Sequence, residues 1–241
     1  MRFFLKILFC LIGISFTNCL GQSIYGRIEY RIQPIDLSSK SDDNRIKNII
    51  NDLLKEANKQ IFVLDFTNND SKFSMVNSLT MSSNNLPFEK QKIKLASTRF
   101  TSDFNYYLNK NENFVILEKL DGALIKMEYV KKKWNITSES KMIDKYLCYK
   151  ANYINSYIGR DGKEKNIEIS AWFAPSLPYS YGPKDYNGLP GLILELREKE
   201  TTYYAASINF SNIKEFKIDF PKGKTISAED YEKGLKTQVG M

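Results

Sequence analysis

Residues 186–196 read Tyr-Asn-Gly-Leu-Pro-Gly-Leu-Ile-Leu-Glu-Leu. Two glycines and a proline stand directly against the most strand-like run in the chain. Leu189-Pro190-Gly191-Leu192 fits a type II turn, with proline at the second position and Gly191 where φ must be positive. The run from Leu192 to Leu196 is almost unbroken apolar sequence, the pattern of a strand buried on both faces. The chain before it behaves differently. Four of the seven prolines (Pro175, Pro178, Pro183 and Pro190) fall between Trp172 and Gly191. Proline fixes φ and has no N–H, so this segment is neither an interior strand nor a helix. It reads as a stiffened excursion between two strands of a sheet.

Working outward, the same two-residue period recurs. Ile24, Gly26, Ile28, Tyr30 and Ile32 alternate with polar residues up to Pro34. IFVLDF (61–66) and SKFSMV (71–76) flank Asn68-Asn69-Asp70, a hairpin turn. Ser78 to Asn85 reads as a polar loop. FNYYLN (104–109) and NFVILEKL (113–120) lead through Asp121-Gly122 into ALIKMEYV (123–130). KWNITS (133–138), KYLCYKANYINSYI (145–158), EKNIEISAWFA (164–174), TYYAASINF (202–210) and EFKIDF (215–220) add further strands, with Arg160-Asp161-Gly162-Lys163 as a turn. One segment has helical spacing. Residues 41–59 carry Ser41 as a cap, Asp42 and Asp43 in the first turn, and a stripe of Ile46, Ile49, Ile50, Leu53, Leu54 and Ala57. About ten strands and one amphipathic helix predict a mainly β (α+β) fold, a curved antiparallel sheet or half-barrel with the helix against it. The polar tail from Ile226 is suited to a short terminal helix. No repeat or linker divides residues 22–241, so one domain is expected.

Residues 1–21 stand outside that domain. A basic start (Arg2, Lys6), an apolar run from Ile7 to Phe16, and small residues at Cys19 and Gly21 form the pattern of a secretory signal peptide. The run is too short to span a bilayer. Cys19 as a lipidated N-terminus is the alternative, but Phe16-Thr17-Asn18 lacks the small residue such a site prefers. The expected location is therefore the periplasm, the outer membrane or outside the cell, with no membrane span after signal removal. Of three cysteines only Cys148 lies beyond the signal, so no internal disulfide is expected and Cys148 reads as a buried small hydrophobe. The net charge of +7 comes from scattered lysines, which argues against a nucleic-acid site. The chain has no histidine. That removes Ser-His-Asp and Cys-His catalysis, His-ligated zinc and the usual general base near neutral pH. No calcium-type or phosphate-binding loop is present, so no metal or cofactor is expected.

Gly188-Leu189-Pro190-Gly191-Leu192-Ile193 spells the signature of the GLPGLI family of exported Bacteroidota proteins, and the chain resembles that family more widely. KWNITSESKMIDKYLCYKA (133–151), AWFAPSLPYSYGP (171–183) and GRIEY (26–30) are similar to its conserved segments. The resemblance implies an envelope protein without an established activity, and it supplies no catalytic set. The arrangement is also similar to the half-barrel of periplasmic lipoprotein carriers, which enclose acyl chains.

Two functional readings follow. The first is non-catalytic binding of a hydrophobic or peptide-like ligand in the curved sheet, for which an internal cavity is needed. The second is docking on an outer-membrane protein through the loop 172–191, for which an exposed aromatic patch is needed. The candidate residues are Trp172, Tyr179, Tyr181 and Tyr186 with Gly188, Leu189, Pro190 and Gly191; these rings line a binding mouth or pave the outside of the sheet. An enzyme would have to draw on Lys184, Asp185, Glu195, Glu168 and Arg160, whose spacing matches no catalytic set.

Overall fold

The computed structural model describes residues 24–35, 42–76, 87–102, 104–119, 122–158, 163–212 and 216–239. The expected signal segment 1–21 with Cys19, the expected loop at 78–85, Ser41, Asp121 and Arg160-Asp161-Gly162 lie outside them. The chain begins with β1 (Tyr25–Pro34), α1 (Asn44–Asn58), β2 (Ile61–Phe66), β3 (Asp70–Met75) and α2 (Pro87–Phe100). Three strands follow, β4 (Phe104–Asn109), β5 (Phe114–Lys119) and β6 (Leu124–Glu128). The second half holds β7 (Asn135–Ile143), β8 (Tyr146–Ile158), β9 (Glu164–Ala174), β10 (Leu192–Glu198) and β11 (Thr201–Ser211), then β12 (Thr225–Ser227) and α3 (Ala228–Val239). All twelve strands form one open curved sheet in the order β12-β6-β5-β4-β3-β2-β1-β11-β10-β9-β8-β7. Sequential hairpins build each half, and β1 joins them by pairing with β2 on one side and β11 on the other. Every pairing is antiparallel except β12 with β6.

The mainly β reading therefore holds, with differences of detail. The sheet has twelve strands, and β12 is parallel to its neighbour. α1 is present, but Asp43 is its cap and accepts from the Arg45 N–H at 2.8 Å. Its stripe buries only at the far end. Leu54 and Ala57 are buried, whereas Ile46 and Ile49 are 47% and 60% exposed. A second helix, α2, carries the rest of the helical layer. Ala96 and Ser97 are fully buried, and small side chains there let α2 come close to α1. Gln60 at the end of α1 donates to Ser97 Oγ at 2.9 Å and accepts from Thr101 Oγ1 at 2.7 Å, which fixes the two helices together. Residues 216–220 are not a strand. They form a strap over the outer face of β4–β6, where Ile218 is buried with Tyr107, Ile116 and Leu124.

On the inner face Ile28, Tyr30, Phe62, Leu64, Phe66, Phe73 and Tyr203 make the main core. Gly26 permits Phe66 to lie across β1, since a Cβ there would sit 2.1 Å from the ring. On the opposite face Arg27 meets Asp65 at 2.7 Å and Tyr25 donates to the same carboxylate at 2.5 Å.

Candidate functional site

The segment 175–191 is an excursion from β9 to β10, and it runs across the inner face. Leu177, Tyr181, Tyr186 and Leu189 are buried in it. It is tied to the start of β10: Leu192 N–H donates to Leu177 O at 2.9 Å and Ile193 N–H to Tyr181 O at 3.0 Å. The type II reading of the corner is overturned. Gly191 does not have positive φ; the left-handed glycine is Gly188, at φ 94. Gly191 is needed for space, because a Cβ would stand 2.2 Å from Ala174 O. A backbone-to-backbone approach leaves no sign in local turn chemistry, which is why the motif misleads.

Polar contacts hold the loop in place. Tyr181 packs on Phe66 and donates to Asn68 O at 3.0 Å, while the Lys110 ammonium lies 3.7 Å over its ring. Burial, helped by Lys131, brings Lys110 down to about 8. Lys132 meets Asp185 at 2.6 Å, and Trp134 Nε1 donates to Asn187 O at 2.8 Å. Deepest is the Lys184–Glu198 ion pair, with Tyr186 OH donating to the other Glu198 oxygen at 2.8 Å. Burial opposes charge on both partners, yet their mutual attraction prevails: Lys184 is raised and Glu198 lowered from its ordinary value. Burial first, then Glu198, raises the Tyr186 hydroxyl. Beside this lattice lies a cavity of only ≈ 10 Å³, room for about one water-sized sphere. The space expected for a ligand inside the sheet is filled by the loop itself. Of the loop's aromatic rings, Tyr181 and Tyr186 turn inward, and half-buried Tyr179 stacks on the exposed Phe210.

Trp172 parts company with the other candidates. β9 alternates, so Ala171 and Phe173 enter the core while Trp172 faces outward between Lys150 and Glu195 in register. Lys141 Nζ sits 4.3 Å over the indole and bonds Glu195 at 2.7 Å. Around Trp172 opens a trough of ≈ 520 Å³ floored by β8, β9 and β10, with Asn152, Glu168, Ser170, Arg197 and Lys199 along it. The candidate set is thus divided. Tyr179, Tyr181, Tyr186, Gly188, Leu189, Pro190 and Gly191 build the inner plug and its corner, and Trp172 alone belongs to the outer trough. Lys184 and Glu195 are likewise on different faces. Asn152, Ser170, Arg197 and Lys199 escape a sequence reading. Period two places Asn152 and Ser170 on the same faces as Lys150 and Trp172, but only the pairing register brings three strands into one row. Cys148 is buried, and burial pushes its thiol up to about 11.

The comparisons fit this architecture. A family described as a protein of unknown function (Porph_ging) matches residues 159–195, the span from the end of β8 through the plug into β10. No curated protein matches the chain. Two solved structures of PNGF-II, in the P21 and C2 space groups, are similar in fold, with TM-scores of 0.53 and 0.51 and 15% sequence identity. Each likeness covers 88% of this chain and 32% of the PNGF-II chain, so the protein spans about a third of the length of those structures. At that identity the likeness concerns the fold alone.

Proposed function

We propose that the chain is an exported, non-catalytic binding protein of the GLPGLI kind, which takes a peptide-like ligand in the trough around Trp172. The observation that carries this reading is the contrast in space, ≈ 520 Å³ outside against ≈ 10 Å³ within. The ≈ 10 Å³ cavity beside Tyr181 and Tyr186 is too small for an acyl chain. A trough with an aromatic floor and side chains of both signs suits an extended chain of amides, each with a donor and an acceptor. Residues 1–21 support export to the periplasm or outer membrane, and the GLPGLI signature at Gly188–Ile193 falls within the span matched by the family of unknown function. Docking on an outer-membrane protein by the loop itself is disfavoured by its inward rings. A partner would meet the outer face instead. The absence of histidine and the mutual neutralisation of Lys184 and Glu198 support a non-catalytic role.

The test is native mass spectrometry of residues 22–241 purified gently from the host envelope. A bound species of defined mass is expected on the wild-type chain and is lost in Trp172→Ala, while Tyr179→Ala on the inner side retains it. Retention of the adduct by Trp172→Ala would exclude the trough as its site.

A further inference from the structure

The hairpin that closes the trough sorts its charges by face. Arg197, Glu198, Lys199 and Glu200 run consecutively from β10 into the turn before β11. Both acids are committed elsewhere: Glu198 turns inward to Lys184, and Glu200 meets Arg99 of α2 at 3.1 Å. The two cations line the trough, although the Lys199 charge also acts on Glu198. There Lys150 is held by Glu139 at 2.9 Å and Lys141 by Glu195 at 2.7 Å. Among the described residues, Arg197, Lys199 and Glu168 form no ion pair, so two cations against one carboxylate remain to meet a ligand.

Hydrogen-bonding side chains stand beside them in one row. Asn152 pairs in register with Ser170, and Ser170 with Arg197. Adjacent strands lie about 4.8 Å apart, so the three side chains span about 10 Å across the trough. Asn152 Oδ1 is buried without a partner and so calls for a donor, such as a peptide N–H of the ligand, while its Nδ2 can donate to a carboxylate. A guanidinium fork next to a hydroxyl and an amide is the arrangement that binds a carboxylate in a fixed orientation.

Resting on the binding role proposed above, we infer that the trough selects acidic peptide segments, with an Asp or Glu carboxylate seated on Asn152, Ser170 and Arg197 and a second acid opposite Lys199. The charge complementarity favours this occupant over a basic or neutral one. Trp172 carries the adjoining peptide or side-chain plane.

An array of random dodecapeptides probed with the mature chain tests the inference. Bound peptides are expected to be enriched in Asp and Glu over the library, with binding that weakens as salt rises. Arg197→Gln and Lys199→Gln, both exposed and expected to leave the melting temperature unchanged, should remove the enrichment and weaken acidic peptides by roughly tenfold. Trp172→Ala should abolish binding to acidic and neutral peptides alike. Binding that depends on Trp172 without any acidic enrichment would overturn the carboxylate site and leave the trough standing. Peptides that bind equally well to Trp172→Ala, or no bound peptides at all, would overturn both.

Discussion

Gly191→Ala is expected to cost about 3 kcal/mol or more, lowering the melting temperature by roughly 10 °C for a chain of this size. The added methyl would stand 2.2 Å from Ala174 O and 2.6 Å from Ala174 C, and backbone cannot swing aside as a side-chain tip can. Ala174 ends β9 and pairs with Leu192, so relief of the clash must pull β9 from β10 at the point where the plug leaves the sheet. Gly122→Ala is the matched control. Gly122 has φ 90 but nothing within 4 Å of the added carbon, so it isolates backbone strain, on the order of 1–2 kcal/mol. Thermal melts of the two variants separate the causes. A Gly191→Ala protein that melts with the wild type would mean that the corner is not packed in this way.

Glu198→Ala should be as damaging, about 3–5 kcal/mol, because it strands Lys184 in a site whose two side chains are 11% and 16% exposed. It also removes the acceptor of the Tyr186 hydroxyl. Replacing both partners by apolar residues, Lys184→Met with Glu198→Leu, should cost less than the single change, since no unpaired charge is left behind. Denaturant titrations of the two proteins give the comparison directly. If the double variant is the less stable, the charges are not the reason for the single variant's loss.

The same pair shapes the response to pH. Glu198 titrates below its ordinary value when folded, so its stabilisation is present above the ordinary carboxylate range and disappears as pH falls through the lowered value. Lys184 titrates above its ordinary value, so its share is present below the ordinary lysine range and is lost as pH rises through the raised one. Asp185 from the loop and Tyr106 from β4 face the same ammonium and add to its stabilisation as a charge and a potential charge. The contribution is therefore level across neutral pH, and the Glu198→Ala melt should lack the decline on the acid side that this pair supplies.

The sheet was legible from residue order because period two is a local property. Ile28, Tyr30 and Ile32 alternate with Glu29 and Arg31 whatever they pack against, and Asp121-Gly122 marks its hairpin within two residues. α2 was not legible. Its buried apolar positions among the described residues, Ile93, Ala96 and Phe100, are few, and Leu95 interrupts the pattern at 59% exposure. Helical structure there depends on docking against α1 more than on its own apolar face. The strap 216–220 shows the reverse: Phe216, Ile218 and Phe220 alternate as a strand would, yet the run lies on the sheet instead of joining it.

For the site, composition and motif singled out 172–191 correctly as an unusual segment, and its proline content forbade regular structure. Which way each ring turns is a matter of strand parity and of the path across the inner face. Trp172 is one residue from Phe173 and faces the opposite side of the sheet; Tyr181 is buried against Phe66 of β2, and Tyr186 against Trp134 and Glu198. What the amino-acid sequence determined by itself was the β architecture, the stiff corner and the lack of histidine chemistry, all of which follow from local conformational preference and composition. The filled interior, the spacing role of Gly191 and the row of Asn152, Ser170 and Arg197 were decided by tertiary structure alone. Each depends on groups far apart in the chain coming within a few ångströms, and no local preference encodes that distance.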